Sequence, residues 1–490
     1  MNILLVSPRT PTTFWSFKHA VGFLSRKAAF PPLGLMTMAA MLPRSWALKL
    51  IDMDVTQLED ADLQWADYVM VGGMIVHKES VRDVAERCRA LGKPVIGGGP
   101  LFTTSEEKFP AIGHLVLGEV EEIMSRVVAD MEAGCLGKLY QREDRPDVTI
   151  TPIPRWDLIN LKDYVTMSVQ FSRGCPYDCE FCDIIVMNGR RPRTKPPARL
   201  LAELDTLHAQ GWKGSVFLVD DNFIGNKSKV KELLRAIIKW RRRTRARMDF
   251  FTQSTVNLAE DKELLQLMAE AGFRTVFLGI ETPEMASLKE CKKLQNTRHD
   301  LVEAVWTIQN AGMQVMGGFI VGFDHDGSDI FERQFEFIQK AGVVTAMVGL
   351  LTALPKTRLY SRLMEEGRLL SQTTGNNTEA VLNFDTKLDS DFLIKGYRSL
   401  MHSLYEPDAY YQRIKSYLSR YRHVGRREYL GVAGLKAFLR SLWCLGVRYP
   451  GRLAYWRFLL HTLVRYPREF GQAVALAIYG HHFRIVAADL

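Results

Sequence analysis

Phe171-Ser-Arg-Gly-Cys-Pro-Tyr-Asp-Cys-Glu-Phe-Cys182 sets three thiols, Cys175, Cys179 and Cys182, in one short loop. Iron–sulfur cubanes are usually held by four thiolates, so three at this spacing leave one position for a substrate or cofactor. A zinc site is the competing reading. It wants four closed ligands, and the remaining cysteines offer no tidy second pair: Cys291 lies more than a hundred residues downstream and Cys444 further still. Seven cysteines in 490 residues, an odd number, argue against a secreted disulfide framework and for a reducing cytosol.

Around this loop, short apolar runs alternate with helical stretches: Thr166 to Phe171, Ser215 to Val219, Met248 to Gln253, Thr275 to Ile280, Gln314 to Val321 and Ala346 to Leu351. Six strands with helices between them predict an incomplete parallel (β/α)6 barrel over 165–385. The working residues of such a barrel belong at strand carboxyl ends, where the unusual stretches lie. Asp220-Asp-Asn-Phe-Ile-Gly-Asn226 follows the second strand, Gly279-Ile-Glu-Thr282 ends the fourth, and Gly318-Phe-Ile-Val-Gly-Phe-Asp324 ends the fifth. Asp221 and Asn222 can accept hydrogen bonds from an ammonium group, or simply cap a turn.

Upstream, residues 1–140 repeat the strand and helix alternation at Ile3 to Val6, Leu48 to Ile51, Tyr68 to Val71, Pro94 to Ile96 and His114 to Leu117. The pattern argues a doubly wound α/β sheet of Rossmann type. Glycines follow three strands, at Gly72-Gly73, Gly97-Gly98-Gly99 and Gly118, where ligands of such sheets lie; tight turns are the plain alternative. A linker rich in Pro and charge spans 141–164. The N-terminus has no basic leader and its apolar run is too short for a signal, and no apolar segment approaches the ~18 residues that cross a bilayer.

The chain carries a net charge of +9. Residues 401–490 hold fourteen Lys and Arg against five Asp and Glu, so the whole excess sits in the tail. The segment 386–490 reads as helical and basic-aromatic. Tyr410, Ile414, Tyr417, Leu418 and Tyr421 fall on one helical face, with Arg413, Lys415 and Arg420 expected outside it. Leu435 to Leu445, Leu453 to Leu463 and Phe470 to Tyr479 repeat the theme. This tail reads either as a cap on the barrel or as a peripheral contact with anionic lipid, with Arg413, Arg420 and Arg440 on the polar side. No nucleic-acid-binding module accompanies the charge. The eleven histidines are scattered, and His77, His325 and the His481-His482 pair read as packing or surface residues.

The cysteine loop, with Gly174 before it and Phe181 inside it, resembles the cluster loop of the radical S-adenosylmethionine (radical SAM) superfamily. Gly279-Ile-Glu-Thr282 resembles that family's G-I-E-S motif, and the Gly318 to Asp324 stretch its G-x-I-x-G-x-x-E motif. The resemblance implies a 4Fe–4S cluster on Cys175, Cys179 and Cys182 whose open iron binds S-adenosylmethionine. It further implies that Asp221 and Asn222 meet the methionine ammonium, that Gly279 and Glu281 serve the ribose, and that Gly318 and Gly322 lie along the adenine. One electron from the cluster then cleaves the sulfonium bond to give a 5′-deoxyadenosyl radical, and no acid–base residue is assigned.

With Pro31-Pro-Leu-Gly34, the N-terminal segment resembles the cobalamin-binding-type domain found ahead of many radical SAM domains. The family's D-x-H-x-x-G reads here as Asp52-Met-Asp-Val-Thr-Gln57, without the histidine that replaces the corrin's lower ligand; radical SAM methylases of this kind often lack it. Tyr405 to Tyr411 and Ala477 to Arg484 resemble the C-terminal extension of the subfamily that includes the hopanoid C-2 methylases. Ala66 to Met74, Phe181 to Ile184, Val219 to Asn226 and Val348 to Pro355 are also close to that subfamily, and the resemblance covers nearly the whole chain.

These readings lead to a cobalamin-dependent C-methyltransferase acting on an unactivated carbon of a hopanoid-like lipid or a natural product. A 3-amino-3-carboxypropyl transferase without cobalamin, of the arsinothricin type acting on arsenic, and a non-catalytic iron–sulfur sensor are the alternatives. The expected partners are a small-molecule or lipid substrate and an electron donor such as flavodoxin or ferredoxin, without nucleic acid. The expected location is the cytoplasm, peripheral to the inner membrane face.

Overall fold

The computed structural model describes residues 1–105, 109–422 and 432–490. Its N-terminal sheet comprises β1 (Asn2–Ser7), β2 (Ala47–Asp52), β3 (Tyr68–Gly72), β4 (Val95–Gly98), β5 (His114–Val116) and β6 (Leu139–Tyr140). All pair in parallel in the order β2-β1-β3-β4-β5-β6. This is the flavodoxin-like order, whose ligand crevice opens beyond β1 and β3. The first five strands match the sequence expectation. β6 is two residues long and carries no readable pattern.

The linker runs in short 3₁₀ turns, Val148–Ile150, Trp156–Leu158 and Leu161–Asp163, with Trp156 fully buried. A second parallel sheet follows, built from β7 (Met167–Val169), β10 (Val216–Leu218), β11 (Phe250–Ser254), β12 (Phe273–Glu281), β13 (Gln314–Val321) and β14 (Thr345–Leu350), in the order β14-β13-β12-β11-β10-β7. Every residue of β14 is buried. Strands covered on both faces read as unbroken apolar runs, so this barrel was legible in the sequence. Between its first two strands, β8 (Ser172–Arg173) and β9 (Arg193–Thr194) pair antiparallel and bring the two ends of the cysteine loop together. Asn226, Asp261, Asp300 and Thr357 cap the helices that follow by accepting backbone N–H bonds, as short polar side chains at these positions do.

Rings fill the barrel interior. Phe217 stacks on Phe251 at 4.2 Å, and Trp15 from the segment between β1 and β2 lies against Phe217 and Phe277. That segment and the helix Phe470–Ala488 close the amino ends of the strands. Phe14 packs on Phe483, and His482 Nε2 donates to the Thr13 carbonyl at 3.0 Å. Within the tail, Tyr410, Ile414, Tyr417, Leu418 and Tyr421 are buried as expected.

The placement of Arg413 outside that face is corrected: its side chain is 1% exposed. Its guanidinium lies over the Tyr405 and Tyr410 rings at 5.5 and 5.2 Å and donates to Gln339 Oε1 and the Val344 carbonyl. The negative ring faces and these acceptors replace water around the cation. Arg420 lies over the Trp306 ring at 4.4 Å, and Arg440 donates to the Gly22 and Phe23 carbonyls. All three therefore brace the cap, and reversing their charge would damage it. His482 is buried in packing, while His325 pairs with Glu290 at 2.8 Å.

Candidate cluster and cofactor site

Gly174 opens the cysteine loop at φ 98°, and a Cβ there would sit 2.7 Å from the Arg191 carbonyl oxygen. Only glycine fits such a backbone at so close an approach. Its N–H donates at 2.7 Å to Asp221 Oδ2, which also accepts from Asn188 Nδ2 at 2.9 Å. The neighbouring Asp220 is fully buried and accepts from the Phe171 and Ser172 N–H groups at 2.8 Å and from Ser172 Oγ at 2.5 Å. Burial pushes its carboxyl up to about 7 against these bonds. Both carboxylates after β10 thus hold the entry to the loop, a structural task beyond the ammonium contact expected of Asp221.

Asn222 Nδ2 lies 3.8 Å from Cys175 Sγ, and Gln295 Nε2 lies 3.8 Å from Cys179 Sγ. The carbonyl oxygens Asn222 Oδ1, Gln295 Oε1 and Asn296 Oδ1 are buried without a protein partner. Buried acceptors are normally paired, so these orphans, two beside the thiols and one on Asn296 at the end of β12, fit a polar ligand such as the amino acid end of S-adenosylmethionine. Burial raises the Cys175 and Cys182 thiols, and the charge on Lys293 pulls them back. Among the described residues no three His, Cys, Asp or Glu side chains converge on a single metal ion, whereas a cubane spreads its thiolates over separate irons.

Glu281 sits at φ 67° where the pairing of β12 with β13 slips between Gly279 and Glu281. A bulge re-aims a side chain, and here Glu281 Oε1 accepts from Lys293 Nζ at 2.6 Å with both side chains buried. Burial opposes the Lys293 charge, and Glu281 and Cys179 outweigh it, so the ammonium persists. A Cβ on Gly279 would lie 2.5 Å from Glu281 Oε1 and 2.7 Å from Lys293 Nζ; the glycine makes room for the pair. Lys293 went unread in the sequence because a lysine after Lys292 carries no pattern. Gly318 gives its space to the Phe277 ring, 2.8 Å from a built Cβ, and Gly322, at φ 104°, donates to Asp326 Oδ2 at 2.8 Å.

Glu180, between two of the cysteines, is buried and accepts from Arg362 at 2.7 and 3.1 Å. Its backbone N–H donates to the Cys291 carbonyl at 2.9 Å, so Cys291 lies beside the loop despite its distance in sequence. The Cys291 thiol instead faces the Leu288 carbonyl at 3.6 Å and packs with Phe323 and Leu351. Cys291→Ala is therefore expected to keep the full iron content of the wild type, measured by iron and sulfide analysis after anaerobic reconstitution; a loss of one third or more would make Cys291 a ligand.

A cavity of about 600 Å³ lies between the carboxyl ends of the two sheets. Gly72, Gly73, Gly98, Gly99 and Gly118 line it from the N-terminal sheet, and Asn188 and Asp221 from the barrel. Gly99, at φ 91°, would place a Cβ 3.2 Å from the Gly73 carbonyl oxygen, so bare backbone forms this wall. Across the cavity mouth, Arg173 bridges Glu119 and Glu121 at 2.7 and 2.6 Å, and Arg193 meets Glu119 at 2.5 Å. This buried charge group fastens the N-terminal sheet to the cysteine loop, and no local motif announces it. Removing one member of such a group leaves an unpaired charge and costs about 3–5 kcal/mol. Arg173→Met is therefore expected to lower the thermal midpoint by several degrees, and an unchanged calorimetric midpoint would contradict the reading.

Asp54, where the family motif carries histidine, accepts from the Thr10 N–H at 3.0 Å. His77 reaches the cavity, but its Nδ1 accepts from the Met74 N–H at 3.0 Å and its Nε2 lies 3.2 Å from Thr10 Oγ1. Both ring nitrogens are engaged within the protein, so His77 is not set to hold a corrin seated here. The bare-backbone wall and the polar rim fit such a group.

Residues 169–338 match the radical SAM superfamily, and residues 357–490 match a domain of unknown function, DUF4070. An uncharacterized methyltransferase of Synechocystis sp. is 40% identical over 99% of this chain and 91% of its own length. Hopanoid C-2 methylase of Rhodopseudomonas palustris is 34% identical over 100% of this chain and 94% of its own. Among solved structures, the cobalamin-dependent S-adenosylmethionine radical enzyme OxsB superposes with a TM-score of 0.61 at 15% identity, covering 100% of this chain and 80% of that one. The methyltransferase TsrM of Kitasatospora setae gives 0.58 at 18% identity, over 74% and 76%. These two share the fold. Superfamily members use a 4Fe–4S cluster and S-adenosylmethionine, and this chain is a radical SAM enzyme of the branch whose full-length methyltransferase relatives include hopanoid C-2 methylase.

Proposed function

We propose that the protein is a cobalamin-dependent C-methyltransferase acting on an unactivated carbon of an apolar, polycyclic lipid. One observation carries the proposal: Asp221 both holds the cysteine loop, through Gly174, and lines the glycine-walled cavity, so a cluster and a corrin placed in their respective sites would face each other. When bound, the 4Fe–4S cluster, S-adenosylmethionine and cobalamin supply the radical and methyl-transfer chemistry.

The chain's own residues bind and orient. Cys175, Cys179 and Cys182 would hold the cluster, while Asn222 and Gln295 donate to two of the sulfurs and offer their orphan oxygens to the amino acid end of the cofactor. Glu281 would accept the ribose hydroxyls, aimed by its bond to Lys293. Gly279 makes room for the Glu281–Lys293 pair and Gly318 for the Phe277 ring, and the adenine is proposed to lie along the end of β13 near Gly318 and Gly322. Glu180 with Arg362, and Arg173 with Glu119 and Glu121, are positioning residues. Residues 1–140, 165–385 and 386–490 are proposed as the functional units, the first two joined by the linker 141–164, and the sheet positions support this division.

The methyltransferase names of the long-range relatives and the cobalamin named for OxsB support this reading. The aminocarboxypropyl alternative needs no second cofactor cavity, and the sensor alternative has no use for the Glu281 pair. A flavodoxin or ferredoxin is the proposed electron donor. No helix among the described residues is long and apolar enough to cross a membrane, and the basic tail is proposed to bring the protein to the inner membrane face. The test of the corrin site is electron paramagnetic resonance of reconstituted protein loaded with cob(II)alamin. The signal is expected to be unchanged in His77→Ala. Nitrogen splitting lost in that variant, or absence of corrin binding, would overturn the proposal.

A further inference from the structure

The helices Val432–Trp443 and Arg452–Arg465 turn one face to the rest of the protein and leave the other unpartnered among the described residues. Inside, Ser441 Oγ and Tyr455 Oη share a hydrogen bond at 2.8 Å, and Trp456 Nε1 donates to the Gly446 carbonyl at 2.9 Å. Outside, Leu435, Leu439 and Trp443 recur every four residues, Trp443 being 61% exposed. Leu453, Leu460, Leu463 and Val464 line the second helix, with Leu453 at 67% and Val464 at 82%. Apolar side chains left exposed along both helices mark a contact surface.

Charge says what covers it. From 432 to 468 the chain carries seven basic residues and no acidic one. Arg440 is spent on the Gly22 and Phe23 carbonyls, while Lys436, Arg448, Arg452, Arg457, Arg465 and Arg468 are exposed. A second copy is a poor occupant, because two-fold pairing sets the same patch against itself and would bring these cations together with no carboxylate between them. Anionic lipid headgroups meet the cations while the acyl boundary takes the Trp and Leu side chains, as at interfacial helices.

We propose that this helical hairpin is a bilayer-docking surface, resting on the membrane contact proposed for the tail and narrowing it to residues 432–465. The pair lies in the plane of the interface and does not span it. It is joined to the helix Phe470–Ala488 at the amino ends of the barrel strands.

The test is flotation of the full-length protein with vesicles of phosphatidylglycerol and phosphatidylcholine, and of phosphatidylcholine alone, over a salt series. Co-flotation is expected with the anionic vesicles, weakening as salt screens the attraction, together with a blue shift of tryptophan emission. The variant Leu439→Ser, Trp443→Ser, Leu460→Ser, Val464→Ser should lose at least about tenfold in partitioning with an unchanged melting midpoint. Should it misfold, Arg452→Ser with Arg457→Ser and Arg465→Ser is expected to lose binding by the same order, and brominated lipid should quench the wild-type tryptophans. Absence of flotation, undiminished flotation of a folded variant, or a wild-type dimer in light scattering that the variant dissolves would overturn the proposal. These readouts are independent of the reaction, so failure of docking and failure of the methyl-transfer reading are told apart.

Discussion

Replacing Cys175, Cys179 and Cys182 together by alanine is expected to remove the iron, the cluster absorbance and all reductive cleavage of S-adenosylmethionine at once. The loop is the only stretch of this chain with three closely spaced thiols, and the nearby Cys291 is turned toward the Leu288 carbonyl. The fold should survive, since the loop is also fixed by bonds that do not involve the thiols: Gly174 to Asp221, Ser172 to Asp220 and Glu180 to Arg362. A triple variant that refolds with stoichiometric iron after anaerobic reconstitution would refute the assignment.

Changes at the Glu281–Lys293 pair should have the next largest effect, and its two consequences can be separated. Glu281→Gln leaves the Lys293 ammonium buried without its counter-charge, at a cost of about 3–5 kcal/mol. Lys293→Met does the converse to Glu281. The double variant Glu281→Gln, Lys293→Met leaves no orphan charge and should recover most of that stability, so the coupling shows as strong non-additivity. Affinity for S-adenosylmethionine should not recover. A charged acceptor is worth ~1.5–3 kcal/mol per hydrogen bond, so binding is expected to fall at least about tenfold in every variant lacking the carboxylate. Calorimetric melting reads the first effect and titration calorimetry the second. Full affinity in the double variant would move the cofactor contact elsewhere.

What the sequence revealed follows from how local each signal is. Parallel strands buried on both faces leave continuous apolar runs, and β13 was bounded to the residue, Gln314 to Val321. The cysteine loop and the strand-end motifs are contiguous, so spacing alone placed them. The Arg173–Glu119–Glu121–Arg193 group was invisible because its carboxylates follow β5 and its arginines lie on β8 and β9, more than fifty residues further on, and only folding brings them together. Lys293 was missed for a similar reason, its partner being set by a strand bulge. Arg413 was read the wrong way round. Helical periodicity puts a cation among tyrosines on the outer face by default, whereas here the tyrosine rings are its solvent. For the hairpin the periodicity left both a cap and a lipid contact open, and the structure leaves many of its apolar residues in water.

The central claim, a cluster and a corrin working across one cavity, is tested most directly by product analysis. The reconstituted protein is supplied with methyl-deuterated S-adenosylmethionine, a reductant and a polycyclic lipid extract, with and without cobalamin, and the products are weighed by mass spectrometry. The account predicts S-adenosylhomocysteine and 5′-deoxyadenosine forming together, with the label entering the lipid, only when cobalamin is present. Methylthioadenosine as the main product, or label transfer undiminished without cobalamin, would contradict it.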